Sequence, residues 1–107
     1  MVVFPCPYLT GEVELTFERW RHIAERHPDL VPQYELGIAE TLINTDQIRR
    51  SSRFGKALLF SRCFEVRESK YVVVVVVTDH YPKLRHWVIT AYLTNQLGTG
   101  ELIWQHP

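Results

Sequence analysis

A run of six consecutive valines, residues 72–77, constrains the fold of this chain more than any other feature. Valine is β-branched and favours strands. Because successive side chains of a strand point to opposite faces, a strand made of valine is apolar on both faces. The run is far too short to cross a membrane as a helix, which takes about 20 apolar residues. We therefore predict a central strand whose second face is at least partly covered.

Three further strands are predicted around the valine strand. Residues 57–66 favour a strand and connect to the valine run through a short polar turn, which indicates a hairpin. Residues 86–94 follow a polar loop around Pro82, and residues 101–105 follow a turn that contains two glycines. The second half of the chain is thus predicted to form an antiparallel sheet.

Two helices are predicted in the first half of the chain. Thr16 is a suitable N-cap for an amphipathic helix over residues 16–27, which Pro28 ends. A second helix is predicted over residues 32–44. Helices that come first and strands that follow are typical of an α+β domain. We expect residues 1–107 to form one domain, with two N-terminal helices packed on one face of an antiparallel β-sheet.

The strand predicted over residues 86–94 carries hydroxyl groups along one face. Alternation predicts that one set of side chains faces the helices and a second set faces the other side. The first set is Trp87, Ile89, Ala91 and Leu93, and the second set is Val88, Thr90, Tyr92 and Thr94. Threonine and tyrosine are favoured in strands whatever their function. The second face therefore either meets solvent or lines a site.

A basic stretch precedes the first of the predicted strands. Its sequence, RRSSRFGK at residues 49–56, combines four cations with two serines. Arginine suits bidentate contacts with phosphate, so the stretch could hold phosphate groups. It could equally be a solvated loop, or an edge strand that its charges protect from aggregation. The whole chain has 12 basic and 12 acidic residues. This balance excludes a strongly basic surface that coats nucleic acid without specificity.

The histidines and cysteines do not form a metal-binding pattern. His22 and His27 are five residues apart, about 140° around a helix, which differs from the i, i+4 pair of a zinc-binding helix. Cys6 and Cys63 belong to no metal or redox motif. We therefore expect no metal and no cofactor, and free thiols as in a cytoplasmic protein. The N-terminal stretch lacks the basic residues of a signal peptide.

Several stretches together resemble a known family. They are LTFERWRHIAERHPDL, ETLINTDQIRRSSRFGKALLFSRCF, YVVVVVV and WVITAYLTNQLGTGELIW, which span most of the chain. The set is similar to small phage-associated and bacterial domains of the barnase–EndoU–colicin–RelE-like nuclease group. This resemblance implies a RelE/barnase-like nuclease fold and metal-independent cleavage of RNA, often by a toxin, in a cleft on the sheet. It implies RNA as the partner, with tRNA as one candidate, and an inhibitor or antitoxin protein if the chain is a toxin. The short apolar run separately predicts no membrane partner.

The same resemblance assigns roles to individual residues. The catalytic set would be a helix histidine, an arginine and a Thr-x-Tyr pair on a strand. Here these are His22, with His27 as the other candidate, then Arg50 or its neighbours, Thr90 and Tyr92. The residues that would bind RNA are Arg49, Arg53 and Lys56. The alternative is a non-catalytic member of the same fold that binds RNA or a protein.

This set contains the groups that RNA cleavage through the 2′-hydroxyl requires. A base removes the 2′ proton, a cation stabilises the charge on the crowded phosphate, and an acid protonates the leaving 5′-oxygen. Histidine titrates near neutrality and serves as base or acid. Arginine stabilises the developing charge. Thr90 would hold a phosphate oxygen, while Tyr92 would stack on a base or donate a proton.

Overall fold

A mixed β-sheet with the valine strand at its middle forms the centre of the molecule. The structure is a computed structural model that describes residues 2–28, 30, 35–53, 55–65, 69–98 and 100–107. Within these residues the strands are β1 (Val2–Cys6), β2 (Gly11–Leu15), β3 (Gln47–Arg50), β4 (Leu58–Glu65), β5 (Ser69–Asp79), β6 (Arg85–Thr94) and β7 (Glu101–Gln105). The helices are α1 (Phe17–Arg26) and α2 (Glu35–Ile43), and Pro7–Leu9 forms a short 3-10 helix. The strand order is β1-β2-β6-β5-β4-β3-β7.

The prediction of two N-terminal helices on an antiparallel sheet is wrong. β1 and β2 precede both helices, and β2 pairs with β6 in parallel, with Val13 opposite His86 and Glu14 opposite Trp87. The seven described strands therefore form a mixed sheet. β1 contains Pro5, which a strand tolerates chiefly at the edge of a sheet, where β1 lies. That proline kept β1 from being recognised as a strand in the sequence.

β3 lies at the start of the polar basic stretch, for which the sequence left a loop or an edge strand open. Of its four residues only Ile48 is buried, and the others are polar side chains that remain at least partly exposed. A four-residue strand with a single buried side chain carries too little alternation to be recognised. Its backbone pairs antiparallel with β4 on one side and with β7 on the other. Pairing with these two neighbours, rather than a local pattern, forms this strand.

The prediction of a central valine strand is confirmed. β5 occupies the middle position of the sheet, and residues 72–76 are at most 2% exposed. Val72, Val74 and Val76 join the main core, which also contains buried side chains of both helices. Val73 and Val75 join a smaller cluster on the other face. Burial of one valine contributes about 1.5–3 kcal/mol, so β5 stabilises the sheet through both faces.

α1 begins at its predicted cap. The side chain of Thr16 accepts a hydrogen bond from the backbone N–H of Arg19 at 3.2 Å, which satisfies one of the free donors of the first turn. Ile23 is fully buried in the main core, and the helix packs against β6. The helix predicted over residues 16–27 therefore agrees with α1.

α2 covers a different part of the sheet. It packs against β1, β4 and β5, and Ile38 and Leu42 are its buried side chains in the main core. The helix predicted over residues 32–44 agrees with α2, although residues 31–34 lie outside the described part of the chain. Neither helix of the described part is long and apolar enough to cross a membrane.

β6 departs from regular alternation at Ile89. Val76 on β5 lies opposite Val88, and the preceding residue of β5, Val75, lies opposite Thr90. Ile89 is therefore an extra residue that has no partner in this pairing, which defines a β-bulge. Val88 lies in the main core, whereas Ile89 packs against the smaller cluster on the opposite face.

The bulge corrects the predicted facing of the first half of β6. Trp87 and Ile89 do not share a face with Ala91 and Leu93, because the extra residue inverts the alternation between them. The predicted facing holds after the bulge, where Ala91 and Leu93 contact the main core. Thr90 and Tyr92 lie on the opposite face, beside the valines of the smaller cluster. A strict period of two cannot reveal where such an insertion occurs.

Gly100 allows a close approach of its backbone to the end of β3. Its φ is +139°, and a Cβ at this position would lie 2.6 Å from the carbonyl oxygen of Arg50. We expect Gly100→Ala to lower the free energy of unfolding by about 1–3 kcal/mol, measured by urea denaturation. Gly98→Ala is the control, because nothing lies within 4 Å of a Cβ built there. An equal loss in both variants would contradict this explanation.

Candidate active site

The face of the sheet opposite the main core carries a cleft of about 560 Å³. Its floor is formed by β4, β5 and β6 through Leu59, Val75 and Thr90. Two loops, those after β3 and after β6, also line it, and their contributing residues are Ser51, Ser52, Arg53, Gln96 and Gly98. The hydroxyl-bearing face of β6 therefore lines a cleft rather than a flat solvated surface.

His27 contributes to the cleft from the C-terminal end of α1. It is the C-cap residue, and its backbone N–H donates to the carbonyl oxygen of Ile23 at 2.7 Å. β2 pairs with β6 only near the start of β6, so the described part of β2 does not cover the rest of that strand. α1 follows β2 in the chain and packs against β6. The end of α1 thereby reaches the cleft side of the sheet. The rings of His27 and Tyr92 lie 5.8 Å apart between centroids, tilted by 40°.

Tyr92 is a half-buried phenol on the floor of the cleft. It lies opposite Val73 in the ladder with β5 and packs against the smaller apolar cluster. Burial raises the pKa of the Tyr92 phenol above its ordinary value, and the nearby Arg53 guanidinium partly opposes this rise. The phenol therefore stays protonated throughout the neutral range, where it can donate a hydrogen bond or a proton.

The raised pKa of Tyr92 makes stability depend on pH in the alkaline range. The unfolded chain loses the tyrosine proton near the ordinary pKa of about 10, whereas the folded chain retains it to higher pH. The folded state then binds more protons, so the free energy of unfolding falls as pH rises through this window. Tyr92→Phe should show a shallower fall than the parent protein, measured by urea denaturation across the window. Parallel curves for the two proteins would contradict the assigned burial.

Arg53 brings a positive charge to the cleft from the loop after β3. Its backbone N–H donates to Ser51 Oγ at 3.1 Å, and the Ser51 N–H donates to the carbonyl oxygen of Ala57, so the loop is closed upon itself. Among the side chains that the structure describes, no carboxylate pairs with Arg53. The guanidinium is therefore available to an anion that enters the cleft.

Thr90 presents a hydroxyl that is buried in the cleft floor. Its Oγ1 atom is inaccessible to solvent and has no hydrogen-bond partner among the described residues. A buried hydroxyl without a partner is destabilising by about 1–3 kcal/mol. The three valines on the same face of β5 show that an apolar side chain is suited to this environment, so the hydroxyl requires a separate explanation.

The other predicted site residues lie away from this cleft. His22 faces a separate groove along α1, which it shares with Arg19 and Glu25. Arg50 is exposed and pairs with Glu101 at 3.8 Å. Of the predicted catalytic residues, the structure brings His27, Thr90 and Tyr92 together, but neither His22 nor Arg50 joins them.

The predicted RNA-binding residues are also divided by the structure. Arg49 donates to the side chain of Gln47 at 2.8 Å and to the Gly100 carbonyl oxygen at 3.0 Å, so it connects β3 to the chain leading into β7. Lys56 is exposed and is not one of the described residues that line the cleft. Arg53 is the cation of this stretch that does line it.

Gln96 and Gly98 line the cleft although neither residue was predicted to belong to a site. Their stretch, NQLGTG, was interpreted only as a turn. The side chain of Thr94, which also lines the cleft, accepts from the Gln96 N–H at 3.2 Å and donates to the Gln96 carbonyl oxygen at 2.8 Å. The position of this turn, directly after the hydroxyl-bearing strand, was the one indication that it could contribute to the site. The face of the sheet on which the turn lies depends on tertiary packing, so the sequence could not supply it.

The comparisons with known proteins leave the chain without an assigned family. No protein-family description, curated protein or solved structure matches it. The resemblance to the nuclease group therefore stays a prediction.

In the described residues, no three His, Cys, Asp or Glu side chains are grouped closely enough to hold a metal ion. The functional argument rests on the side chains of the cleft.

Proposed function

We propose that this chain is a small metal-independent ribonuclease that cleaves RNA by attack of a 2′-hydroxyl on the adjacent phosphate. One observation carries the proposal. A single cleft contains an imidazole from His27, a phenol from Tyr92 and a guanidinium from Arg53. These are a base, an acid and a cation, which are the three kinds of group that the reaction needs.

In the proposed reaction, neutral His27 accepts the proton of the 2′-hydroxyl. The 2′-oxygen forms a bond to phosphorus, and the bond between phosphorus and the 5′-oxygen breaks. Tyr92 donates its proton to the departing 5′-oxygen, and the imidazolium of His27 then returns a proton to the tyrosinate. The products are a 2′,3′-cyclic phosphate and a 5′-hydroxyl, and the enzyme regains its starting protonation state.

The role of Arg53 is to stabilise negative charge on the phosphate. Charge on the non-bridging oxygens increases as the new bond forms, and a guanidinium can donate two parallel hydrogen bonds to them. Its electrostatic influence on Tyr92 supports a position close to the proposed acid. The same proposal places the protein in the cytoplasm, where RNA is available. A toxin or a prophage-derived protein with an inhibitor partner would be consistent with this activity.

The test is incubation of the purified chain with single-stranded RNA and with tRNA in the presence of a chelator. We expect cleavage products that carry 2′,3′-cyclic phosphate and 5′-hydroxyl ends, detected by mass spectrometry. DNA of the same sequence should remain intact because it has no 2′-hydroxyl. A His27→Ala variant purified in the same way controls for contaminating nuclease.

The second candidate function is non-catalytic binding of RNA or of a protein. The balance of 12 basic and 12 acidic residues favours binding of a protein, because the chain as a whole carries no excess positive charge to attract RNA. Binding of RNA without cleavage in the same incubation would favour this candidate. If the chain neither binds nor cleaves RNA in this incubation, both RNA functions are excluded.

A further inference from the structure

The cleft-side face of β6 carries a tryptophan beyond the candidate active site. Trp87 lies opposite Val77 of β5, and Val77 packs against the smaller cluster on that face. Residues directly opposite each other in a ladder place their side chains on the same face, so Trp87 shares the face of Thr90 and Tyr92. Trp87 precedes Thr90 by three positions, which is about 10 Å along a strand. A nucleotide that neighbours those bound in the cleft could therefore reach the indole.

The Trp87 ring is not part of the apolar core. It belongs to neither apolar cluster of the described residues, and it remains partly exposed. The Arg85 guanidinium lies over it, with the guanidinium carbon 4.9 Å from the ring centroid. Because Arg85 and Trp87 are two positions apart on one strand, their side chains share the cleft-side face. The pair thus presents flat, partly open surface beside the cleft.

Glu14 holds the Arg85 guanidinium in this position. Arg85 Nε and Nη2 donate to the two carboxylate oxygens of Glu14 at 3.0 and 2.9 Å. Glu14 lies on β2, opposite Trp87 in the parallel pairing. Such a bidentate pair fixes the plane of the guanidinium, and the carboxylate compensates its charge. In contrast to Arg53, Arg85 therefore offers a stacking surface rather than a free cation for phosphate.

A nucleobase is the ligand that this arrangement fits. Bases of single-stranded RNA stack on aromatic rings and on arginine guanidinium planes. The bases of duplex RNA are already stacked inside the helix, so their faces are not open to a protein. A stacking surface with compensated charge also agrees with a chain whose 12 basic and 12 acidic residues leave no general excess of positive charge.

We propose that Trp87, together with the Arg85 guanidinium that Glu14 holds over it, is a stacking site for a nucleobase of single-stranded RNA next to the dinucleotide bound in the cleft. This inference rests on the proposed function, because it takes the cleft as the place where the phosphate is cleaved. Trp87 binds substrate and takes no part in proton transfer. Alternation along β6 had assigned this residue to the helix side of the sheet.

Trp87→Ala tests the stacking site. It should raise KM for a single-stranded RNA oligonucleotide about tenfold, within the range for loss of one base–aromatic stack, and leave kcat nearly unchanged. The slope of log KM against log salt concentration should stay the same, because no phosphate contact is lost. The kcat/KM for a dinucleoside monophosphate, which fills the cleft alone, should also stay the same and shows that the variant is folded. Trp87→Phe keeps an aromatic ring and should recover most of the affinity.

Phe17→Ala is the matched control for removal of an exposed aromatic ring. Phe17 is 68% exposed and lines the separate groove along α1, so its loss should leave KM for the oligonucleotide unchanged. Duplex RNA of the same sequence is the control for the ligand. The parent protein and Trp87→Ala should bind it equally, and a loss as large as that for the single strand would contradict base stacking.

The outcomes distinguish this inference from the proposed function. An unchanged KM for the oligonucleotide in Trp87→Ala would overturn the inference even if the parent protein cleaves RNA. Equal losses on the oligonucleotide and the dinucleoside monophosphate would also overturn it, because they would indicate an effect on the fold. If the parent protein does not cleave RNA, the readout is its affinity for the oligonucleotide. Weaker binding by Trp87→Ala with recovery by Trp87→Phe would then support the stacking site alone, and equal affinity in all three proteins would reject it.

Discussion

His27→Ala is expected to reduce kcat for RNA cleavage by about 10²–10⁴-fold, the usual contribution of a general acid–base residue. His27 is the histidine that lines the cleft, and its ring lies 5.8 Å from that of Tyr92. In the proposed reaction its removal leaves the cleft without an imidazole to accept the 2′ proton. Single-turnover measurements with saturating enzyme would isolate this effect from substrate binding.

His22→Ala is the matched control for this prediction. Both histidines belong to the α1 region, but His22 faces the separate groove along the outside of the helix. Its substitution should leave kcat unchanged and alter the free energy of unfolding by no more than about 0.5 kcal/mol, as for most surface substitutions. Partial recovery of His27→Ala by added imidazole would strengthen the assignment. Loss of cleavage in His22→Ala with full activity in His27→Ala would reverse it.

Arg53→Ala is expected to reduce kcat by about 10²–10³-fold, the range measured when one electrostatic donor to a transition state is removed. The guanidinium lines the cleft, and no described carboxylate neutralises it. Arg53→Lys should recover part of the rate, because lysine retains the charge but cannot form the bidentate contact. The slope of log KM against log salt concentration should decrease by about 1 in Arg53→Ala, as expected when one phosphate contact is lost.

Arg50→Ala removes the same charge from the same stretch and is the control. Arg50 is exposed and pairs with Glu101, so its loss should change kcat little. A second readout is independent of RNA: Arg53→Ala should raise the pKa of Tyr92 further, since Arg53 opposes the effect of burial. Ultraviolet absorbance titration measures this shift against a Tyr92→Phe blank. Equal activities in the two arginine variants would remove Arg53 from the mechanism.

Several elements could be predicted because their signals are local. A run of six valines favours a strand that is buried on both faces, and it occupies the middle of the sheet. Thr16 caps α1 as its side-chain chemistry predicts. The later strands also agree with the predicted segments, including β7, whose predicted bounds coincide with those observed. In each case the information is contained in side chains close together in sequence.

Other elements depended on partners that are distant in sequence. β1 contains a proline and β3 has a single buried residue, so each is recognisable only through the strands that pair with it. The parallel pairing of β2 with β6 joins residues more than 70 positions apart. No local period encodes such pairing, and this is why the mixed sheet was predicted as an antiparallel one.

The chemistry of the candidate site was visible in the order of amino acids, but its geometry was not. The sequence contains the helix histidines, the basic stretch and the Thr-x-Tyr pair, and alternation correctly assigns Thr90 and Tyr92 to one face. His27 rather than His22 reaches the cleft because α1 ends beside β6, close to Tyr92. Arg53 rather than Arg50 reaches it because the loop after β3 folds back on itself. Periodicity assigns a side chain to a face of its own element. The packing of that element against the rest of the chain then sets which faces meet in one cleft.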